Sequence, residues 1–392
     1  FSVSMKYTFD ENGKVNRYKT RMALAGHRGN MQRGVHFDRT YSSTPVQHST
    51  KLLQALMVRM RLQRLAFDIK QAYCQAELPD DQKIAIRYPE GFRRYSESGE
   101  ELFMILRRNL YGHPAAGRIW EKERNKQVLE LFNSDGWSCK RCVKELCLFV
   151  LTDPQGKRAW MLVWTDACDC VGEGDELLNQ IYEIMNAKWP SKIVDPSYIL
   201  GMKREINFTS EGDMEVDLTM TAYVESMEET FKEHVINRTV STPLTPGFCI
   251  SNATKSTEAE NKQVLARGYQ RLFGTLLWAA RGSFIECLEG CSELGRVMAK
   301  PTEAAWAAAC HMLTYMIQHK NNGIKYSSAG NSLHVMPPTR LTLQTAIANM
   351  VMHTYAWDQL SLLDPRSWPM SGYQPRTMST WLHTGPTGTQ HG

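Results

Sequence analysis

The sequence predicts a sheet domain of the α/β or α+β class, followed by a mostly helical region. Two observations predict this order. Up to Gly172, apolar strand-like runs alternate with segments of helical period, and beyond Gly172 the helical period dominates. At 392 residues the chain is long enough for two or three domains with cores of their own. No stretch reaches the roughly 18 to 20 apolar residues of a membrane span, so we expect no membrane partner.

The predicted sheet domain opens with a helix over residues 47–63, where apolar side chains recur at the helical period and Ser49 or Thr50 can cap the first turn. A strand over residues 64–69 follows and carries Asp68 near its end. A second helix over 117–134 ends at a typical stop signal, Asp135-Gly136. The remaining predicted strands are 84–88, 146–151, 159–164 and 168–172.

Four further helices are predicted near residues 175–188, 222–236, 264–280 and 303–319. The last of them has a clear helix start signal, because Thr302 can cap its first turn and Glu303 places an acidic residue in that turn. From Asn331 to Gly392 the chain has no Glu, no Lys and only two Asp, and it lacks a clear period. This composition predicts an irregular tail.

Charge is unevenly distributed along the chain. The net charge is +5, but residues 1–70 hold 13 Lys or Arg against 4 Asp or Glu. Such a basic lobe suits a polyanionic partner, and a solvated basic surface is an equal alternative. Ten cysteines without a regular framework indicate a reducing, intracellular compartment. Cys139 and Cys142 form a lone Cys-x-x-Cys pair, which leaves a zinc-dependent interaction module as an open alternative.

Asp68 and Asp166 each end an apolar, strand-like run beside a turn. Two carboxylates that converge from separate strands can hold Mg²⁺, which prefers hard oxygen ligands. Two-metal chemistry of this kind activates an attacking hydroxyl and stabilises leaving oxygens in nucleotidyl transfer. An aspartate after an apolar run is usually only a turn former, so each of the two alone carries little weight. The amino terminus has neither an initiating Met nor a signal-peptide pattern, which predicts a piece of a longer product.

Several further segments follow one another in a fixed order. They are Tyr18–Gly26, Gln32–Phe37, Thr40–Val46, Phe67–Leu78, Tyr88–Phe92, Leu110–Gly112 with Arg118 and Trp120, Leu200-Gly201, Tyr269–Leu277 and Lys300–Tyr326. Together they resemble the reverse transcriptase of copia-type long-terminal-repeat retrotransposons, over roughly residues 14–326. The resemblance implies an α+β right-hand polymerase: fingers and palm with an antiparallel sheet over 14–220, and a helical thumb and connection over 221–326. The irregular tail 327–392 stands where an RNase H domain would follow.

The resemblance also implies roles for individual residues. Asp68 and Asp166 would be the catalytic, metal-binding carboxylates, and Ile69 would supply a backbone carbonyl to the same metal. Tyr73 would pack under the incoming sugar and exclude a 2′-hydroxyl, with an ordinary core aromatic as the alternative. The nucleotide's triphosphate would be gripped by Lys19 and Arg21.

The implied cofactors are two Mg²⁺ ions, with Mn²⁺ as a substitute, and the implied partners are an RNA template, a DNA primer and deoxynucleoside triphosphates. The implied location is a cytoplasmic particle or the nucleus. Nothing in the sequence predicts an oligomeric state.

The departures from the family pattern concern activity. The Tyr-x-Asp-Asp turn is Trp164-Thr165-Asp166-Ala167 here, so one carboxylate is missing at Ala167. Ala115 stands where the family commonly has a nucleotide-contacting Gln, and Arg281-Gly282-Ser283 replaces Arg-Pro-Asp. Asp169 is not an obvious substitute, because it lies on the return strand and moving it would require a register shift that flips the facing of its side chain. We therefore expect an impaired polymerase or, as the alternative, an inactive descendant that keeps the fold and some nucleic-acid affinity.

Overall fold

The computed structural model describes residues 2–9, 13–26, 31–80, 83–250, 256–329 and 334–336. The strands are β1 (Ser2–Phe9), β2 (Val15–Ala23), β3 (Gln63–Ile69), β4 (Ile84–Arg87), β5 (Phe103–Leu106), β6 (Ser138–Arg141), β7 (Leu148–Thr152), β8 (Arg158–Trp164), β9 (Ala167–Gly172), β10 (Ser191–Val194), β11 (Tyr198–Ile199), β12 (Met202–Phe208), β13 (Met214–Thr219), β14 (Gly323–Ser327) and β15 (His334–Met336). The helices are α1 (Gln47–Met60), α2 (Ala72–Gln75), α3 (Ala116–Leu131), α4 (Asp175–Lys188), α5 (Thr221–Phe231), α6 (Glu258–Ala266), α7 (Tyr269–Gly282), α8 (Leu288–Gly295) and α9 (Glu303–Gln318).

A six-stranded antiparallel sheet, in the order β10-β3-β9-β8-β7-β6, forms the centre of the first half of the chain. Helices α3 and α4 pack their apolar side chains against it, and the buried cluster includes Phe67, Trp120, Phe149 and Ile181. The mixture of helices with an antiparallel sheet is consistent with the expected α+β class.

A second antiparallel sheet, in the order β11-β12-β13-β14-β15, is absent from the sequence-based expectation. In β13, Met214, Val216 and Leu218 are buried and alternate with half-buried polar residues, which is the period-2 pattern of a strand. The signal was therefore present over Met214–Thr219. The pairing of β13 with β14 joins residues on both sides of position 220, where the sequence predicts a domain boundary.

The helices predicted after the first sheet are present, and α5 to α9 share one buried cluster that includes Leu272, Phe284 and Leu313. The hydroxyl of Thr302 accepts a hydrogen bond from the backbone N–H of Ala305, which confirms the predicted cap of α9.

The predicted cap of the first helix is wrong. Helix α1 begins at Gln47 after Val46, so Ser49 and Thr50 lie inside it and are buried. The Ser49 hydroxyl instead donates to the carboxylate of Glu145 at 2.6 Å, and the same carboxylate oxygen accepts the Val46 N–H at 3.1 Å. A partner from a distant part of the chain leaves no local sequence signal.

Most of the predicted irregular tail lies outside the described residues, namely positions 330–333 and 337–392. Within it, His334–Met336 forms a short strand that pairs with β14. Among the described helices, none has the length and apolar character needed to cross a membrane.

Candidate active site

Asp68 and Asp166 come together where three strands of the six-stranded sheet meet. Asp68 lies near the end of β3, directly opposite Ala167, the first residue of β9. The backbone N–H of Ile69 donates to the carbonyl of Asp166 at 2.8 Å, so the turn that carries Asp166 is joined to β3 by a backbone hydrogen bond. Strand pairing thus brings together two aspartates that lie far apart in sequence.

The electrostatics of Asp68 show that the two carboxylates interact. Partial burial raises the pKa of Asp68 above its ordinary value, and the negative charge of Asp166 raises it further. Two neighbouring carboxylates that repel each other favour a bound cation, since the cation relieves the repulsion.

The turn between β8 and β9 is tight, because Trp164 pairs with Ala167 and only Thr165 and Asp166 lie between them. Thr165 has a φ of 54°. A two-residue turn with positive φ at its first central residue suits the right-handed twist of the two strands it joins, and this position is usually glycine. A β-branched residue such as threonine is strained at positive φ. Strain of this kind clusters at functional sites, where the surrounding structure maintains it.

An open cavity of about 370 Å³ lies beside this turn. We call it the turn cavity; its lining residues are Ala72, Tyr73, Tyr111, Trp164, Thr165, Asp166 and Ala167. The rings of Tyr73 and Tyr111 lie 5.4 Å apart and form one aromatic wall. The predicted sugar-contacting residue, Tyr73, therefore faces the same space as Asp166.

The other predicted site residues are less closely grouped. Ile69 is buried next to Asp68. Arg21 is exposed on β2. Burial chiefly raises the pKa of Tyr111, and the positive charge of Arg21 partly opposes this rise. Arg21 therefore lies within electrostatic range of the turn cavity, which Tyr111 lines. Lys19 is also on β2, opposite Lys6, and its side chain lies outside the described part of the chain. The roles of these residues toward a nucleotide stay predictions.

Residues 3–246 match the protein family described as "Reverse transcriptase (RNA-dependent DNA polymerase)", which is more than half of the 392 residues. The chain belongs to this reverse transcriptase family. The match supports the predicted resemblance to the reverse transcriptase region of a copia-type element, and it contains Asp68, Asp166 and every other predicted site residue. No curated protein matches the chain. Reverse transcriptases use divalent metal ions, a nucleic-acid template and primer, and deoxynucleoside triphosphates.

Ala167 directly follows Asp166, at the position where the family pattern described above leads us to expect a second aspartate. Ala167 and Asp68 are register partners, so their side chains lie on the same face of the sheet, with Cβ atoms typically about 5 Å apart in such pairs. A carboxylate at position 167 would therefore stand beside Asp68. The chain has a methyl group there instead.

Asp169 cannot replace the missing carboxylate. It is buried and accepts hydrogen bonds from both terminal nitrogens of Arg204, at 2.7 and 3.0 Å. The Arg204 side chain is itself fully buried, and it also donates to the carbonyl of Pro196 and to Gln54. A carboxylate held in this way neutralises a buried guanidinium and is not available to a metal.

The carboxylates of this site suit a divalent ion only in part. Asp68 and Asp166 offer two carboxylates, which is enough for one Mg²⁺ that keeps several of its waters. Within the described ranges, no group of three or more His, Cys, Asp or Glu could hold a metal ion. The residues thus fit one ion and lack the third carboxylate. The same finding leaves Cys139 and Cys142 without further zinc ligands in the described part, and burial raises the pKa of the Cys139 thiol to about 12.

Sequence reasoning missed several residues that build the site. Tyr111 lies in one of the segments that carry the family resemblance, but its type and position alone predict no role. Trp120 and Arg124 of α3 contact the turn through the Thr165 carbonyl. Trp120 and Arg124 are four positions apart, which places both on one face of a helix, and this spacing is the only sequence signal that the two act together. Ala115, at the start of α3, is buried, and its methyl group offers no hydrogen-bonding atom to a nucleotide.

Proposed function

We propose that this protein is the reverse transcriptase region of a copia-type retrotransposon polyprotein, with RNA-directed DNA polymerase activity that Ala167 impairs. One observation carries the proposal. Strand pairing brings Asp68 next to the turn that carries Asp166, and it places Ala167 opposite Asp68, where a third carboxylate would complete the site. The finer architecture belongs to the proposal as well: a right hand with fingers and palm over 14–220, and a thumb and connection over 221–326.

The residues around the turn cavity and on β2 would divide metal binding and nucleotide binding between them. Asp68 and Asp166 would hold a divalent ion, with the Ile69 carbonyl as a further donor. When bound, such an ion neutralises charge on the phosphates and favours ionisation of the primer hydroxyl. Tyr73, beside Tyr111, would support the sugar and reject a 2′-hydroxyl. Arg21 and Lys19 would contact the triphosphate, and the basic first 70 residues would attract the template–primer duplex.

An inactive descendant that retains the fold is the second candidate. It is favoured by the methyl group of Ala167 opposite Asp68 and by the engagement of Asp169 with Arg204. This candidate would keep salt-dependent binding to nucleic acid without nucleotide incorporation. In both candidates the partners are nucleic acid, and the proposed location is a cytoplasmic particle or the nucleus.

Primer extension on an RNA template, with Mg²⁺ and with Mn²⁺, separates the two candidates. We expect weak extension by the chain as written, abolition by Asp68→Asn, and a gain on the order of 100-fold in Ala167→Asp. Template binding is measured in parallel, so that loss of catalysis is distinguished from loss of affinity. If Ala167→Asp binds the duplex but extends no primer, the missing carboxylate is not the defect, and the inactive candidate stands.

A further inference from the structure

Two buried donors of α3 converge on a single backbone atom of the active-site turn. The indole N–H of Trp120 donates to the carbonyl oxygen of Thr165 at 2.6 Å, and the guanidinium of Arg124 donates to the same oxygen at 3.3 Å. Both side chains are only 1% exposed. Thr165 is the strained residue of the turn, with a φ of 54°, and it directly precedes Asp166.

The two donors are held in place by their own neighbours. The Trp120 ring packs edge-on against Trp189, with centroids 5.2 Å apart. The remaining Arg124 nitrogens donate to the side-chain oxygen of Asn125, at 3.0 and 3.2 Å. A donor pair whose geometry is fixed in this way can stabilise one conformation of the turn against relaxation of Thr165 to negative φ.

We propose that Trp120 and Arg124 are positioning residues: their hydrogen bonds to the Thr165 carbonyl hold the turn so that Asp166 stays next to Asp68. Neither side chain lines the turn cavity, so they act through the backbone of the turn. The link to metal binding rests on the proposed function, whereas the link to turn geometry does not. Loss of either donor leaves the Thr165 carbonyl with one of its two side-chain hydrogen bonds, so the turn is held less firmly and the backbone bond from the Ile69 N–H to the Asp166 carbonyl weakens.

The test uses Trp120→Phe, which keeps an aromatic ring and removes the donor, and Arg124→Lys, which keeps the charge and removes the planar fork. The matched control is Trp160→Phe on β8, because the Trp160 indole N–H is buried and has no hydrogen-bond acceptor among the described residues. Hydrogen exchange at the Ile69 amide reports turn geometry without any metal. Mn²⁺ affinity, measured by electron paramagnetic resonance, reports the site, and thermal unfolding reports the fold.

We expect Trp120→Phe to accelerate Ile69 exchange and to weaken Mn²⁺ binding, each by about 10-fold, as for other residues that orient metal ligands. Arg124→Lys should shift both readouts in the same direction, and Trp160→Phe should leave both within twofold. Unchanged Ile69 exchange in Trp120→Phe and Arg124→Lys overturns the positioning role. If the variants exchange the Ile69 amide faster but the unmutated protein binds no Mn²⁺, the positioning role is supported and the proposed metal site is refuted. If Trp120→Phe does not fold, the Arg124→Lys result decides by the same criteria.

Discussion

Replacing Asp169 by Asn should destabilise the fold without impairing the metal site. The Arg204 side chain is fully buried and makes two charge-assisted hydrogen bonds to Asp169. Its other acceptors, the Pro196 carbonyl and the Gln54 side chain, are neutral, so Asp169 is the group that neutralises its charge. Removing one partner of such a pair leaves an uncompensated charge and costs about 3–5 kcal/mol of unfolding free energy. Because Asn keeps one acceptor oxygen, we expect the lower end of that range.

The assay is urea denaturation followed by tryptophan fluorescence, together with Mn²⁺ titration of the folded protein. Asp217→Asn is the control, because Asp217 pairs with the partly exposed Lys325 and should cost less than about 1 kcal/mol. The double variant Asp169→Asn/Arg204→Met should recover most of the lost unfolding free energy, since it also removes the uncompensated buried charge of Arg204. If Asp169→Asn instead has the same unfolding free energy as the unmutated protein and abolishes Mn²⁺ binding, Asp169 is a metal ligand and its assignment as the structural partner of Arg204 is wrong.

Two further predictions concern glycine contacts and pH. Gly112 has a φ of +84°, and a Cβ there would lie 2.1 Å from the Leu24 carbonyl, so Gly112→Ala should cost at least about 2 kcal/mol more than Gly99→Ala in the same urea assay. Gly99 has a similar φ of +82° but open space around it, and equal losses would refute the steric explanation. Burial lowers the pKa of Lys51 to about 8, so the unfolded chain binds more protons there between about pH 8 and 10.5. Wild type should therefore gain stability relative to Lys51→Met as pH rises through this window, and a difference that stays constant across it would contradict the lowered pKa.

The part of the site that rests on local pattern could be predicted from sequence. Asp68 and Asp166 each follow an apolar strand, and the bounds of β8 and β9 agree with the predicted strands within one residue. A turn at 165–166 was required by the sequence, because two apolar runs lie too close together for any longer connection. The pairing of β3 with β9, which brings Asp68 opposite this turn, joins residues about a hundred positions apart and was expected only from the family resemblance.

The rest depends on contacts between distant residues. Glu145 binds the start of α1 from about a hundred residues away, and Arg204 neutralises Asp169 across two sheets, so neither partner can be inferred from neighbouring positions. The strand β13 was missed for another reason: its alternating pattern was readable, but the surrounding helical periods dominated the interpretation of this region. The predicted division at position 220 and the predicted roles of Lys19, Arg21 and Tyr73 remain predictions.

Mn²⁺ titration of three proteins tests the central claim most directly: the chain as written, Asp68→Asn and Ala167→Asp. Asp68 and Asp166 are predicted to share one ion, so the chain as written should bind one Mn²⁺ weakly. Asp68→Asn should lose this binding, and Ala167→Asp should bind more tightly or take up a second ion, because it adds a carboxylate opposite Asp68. Mn²⁺ binding that is the same in all three proteins would contradict the claim that these residues form one metal site.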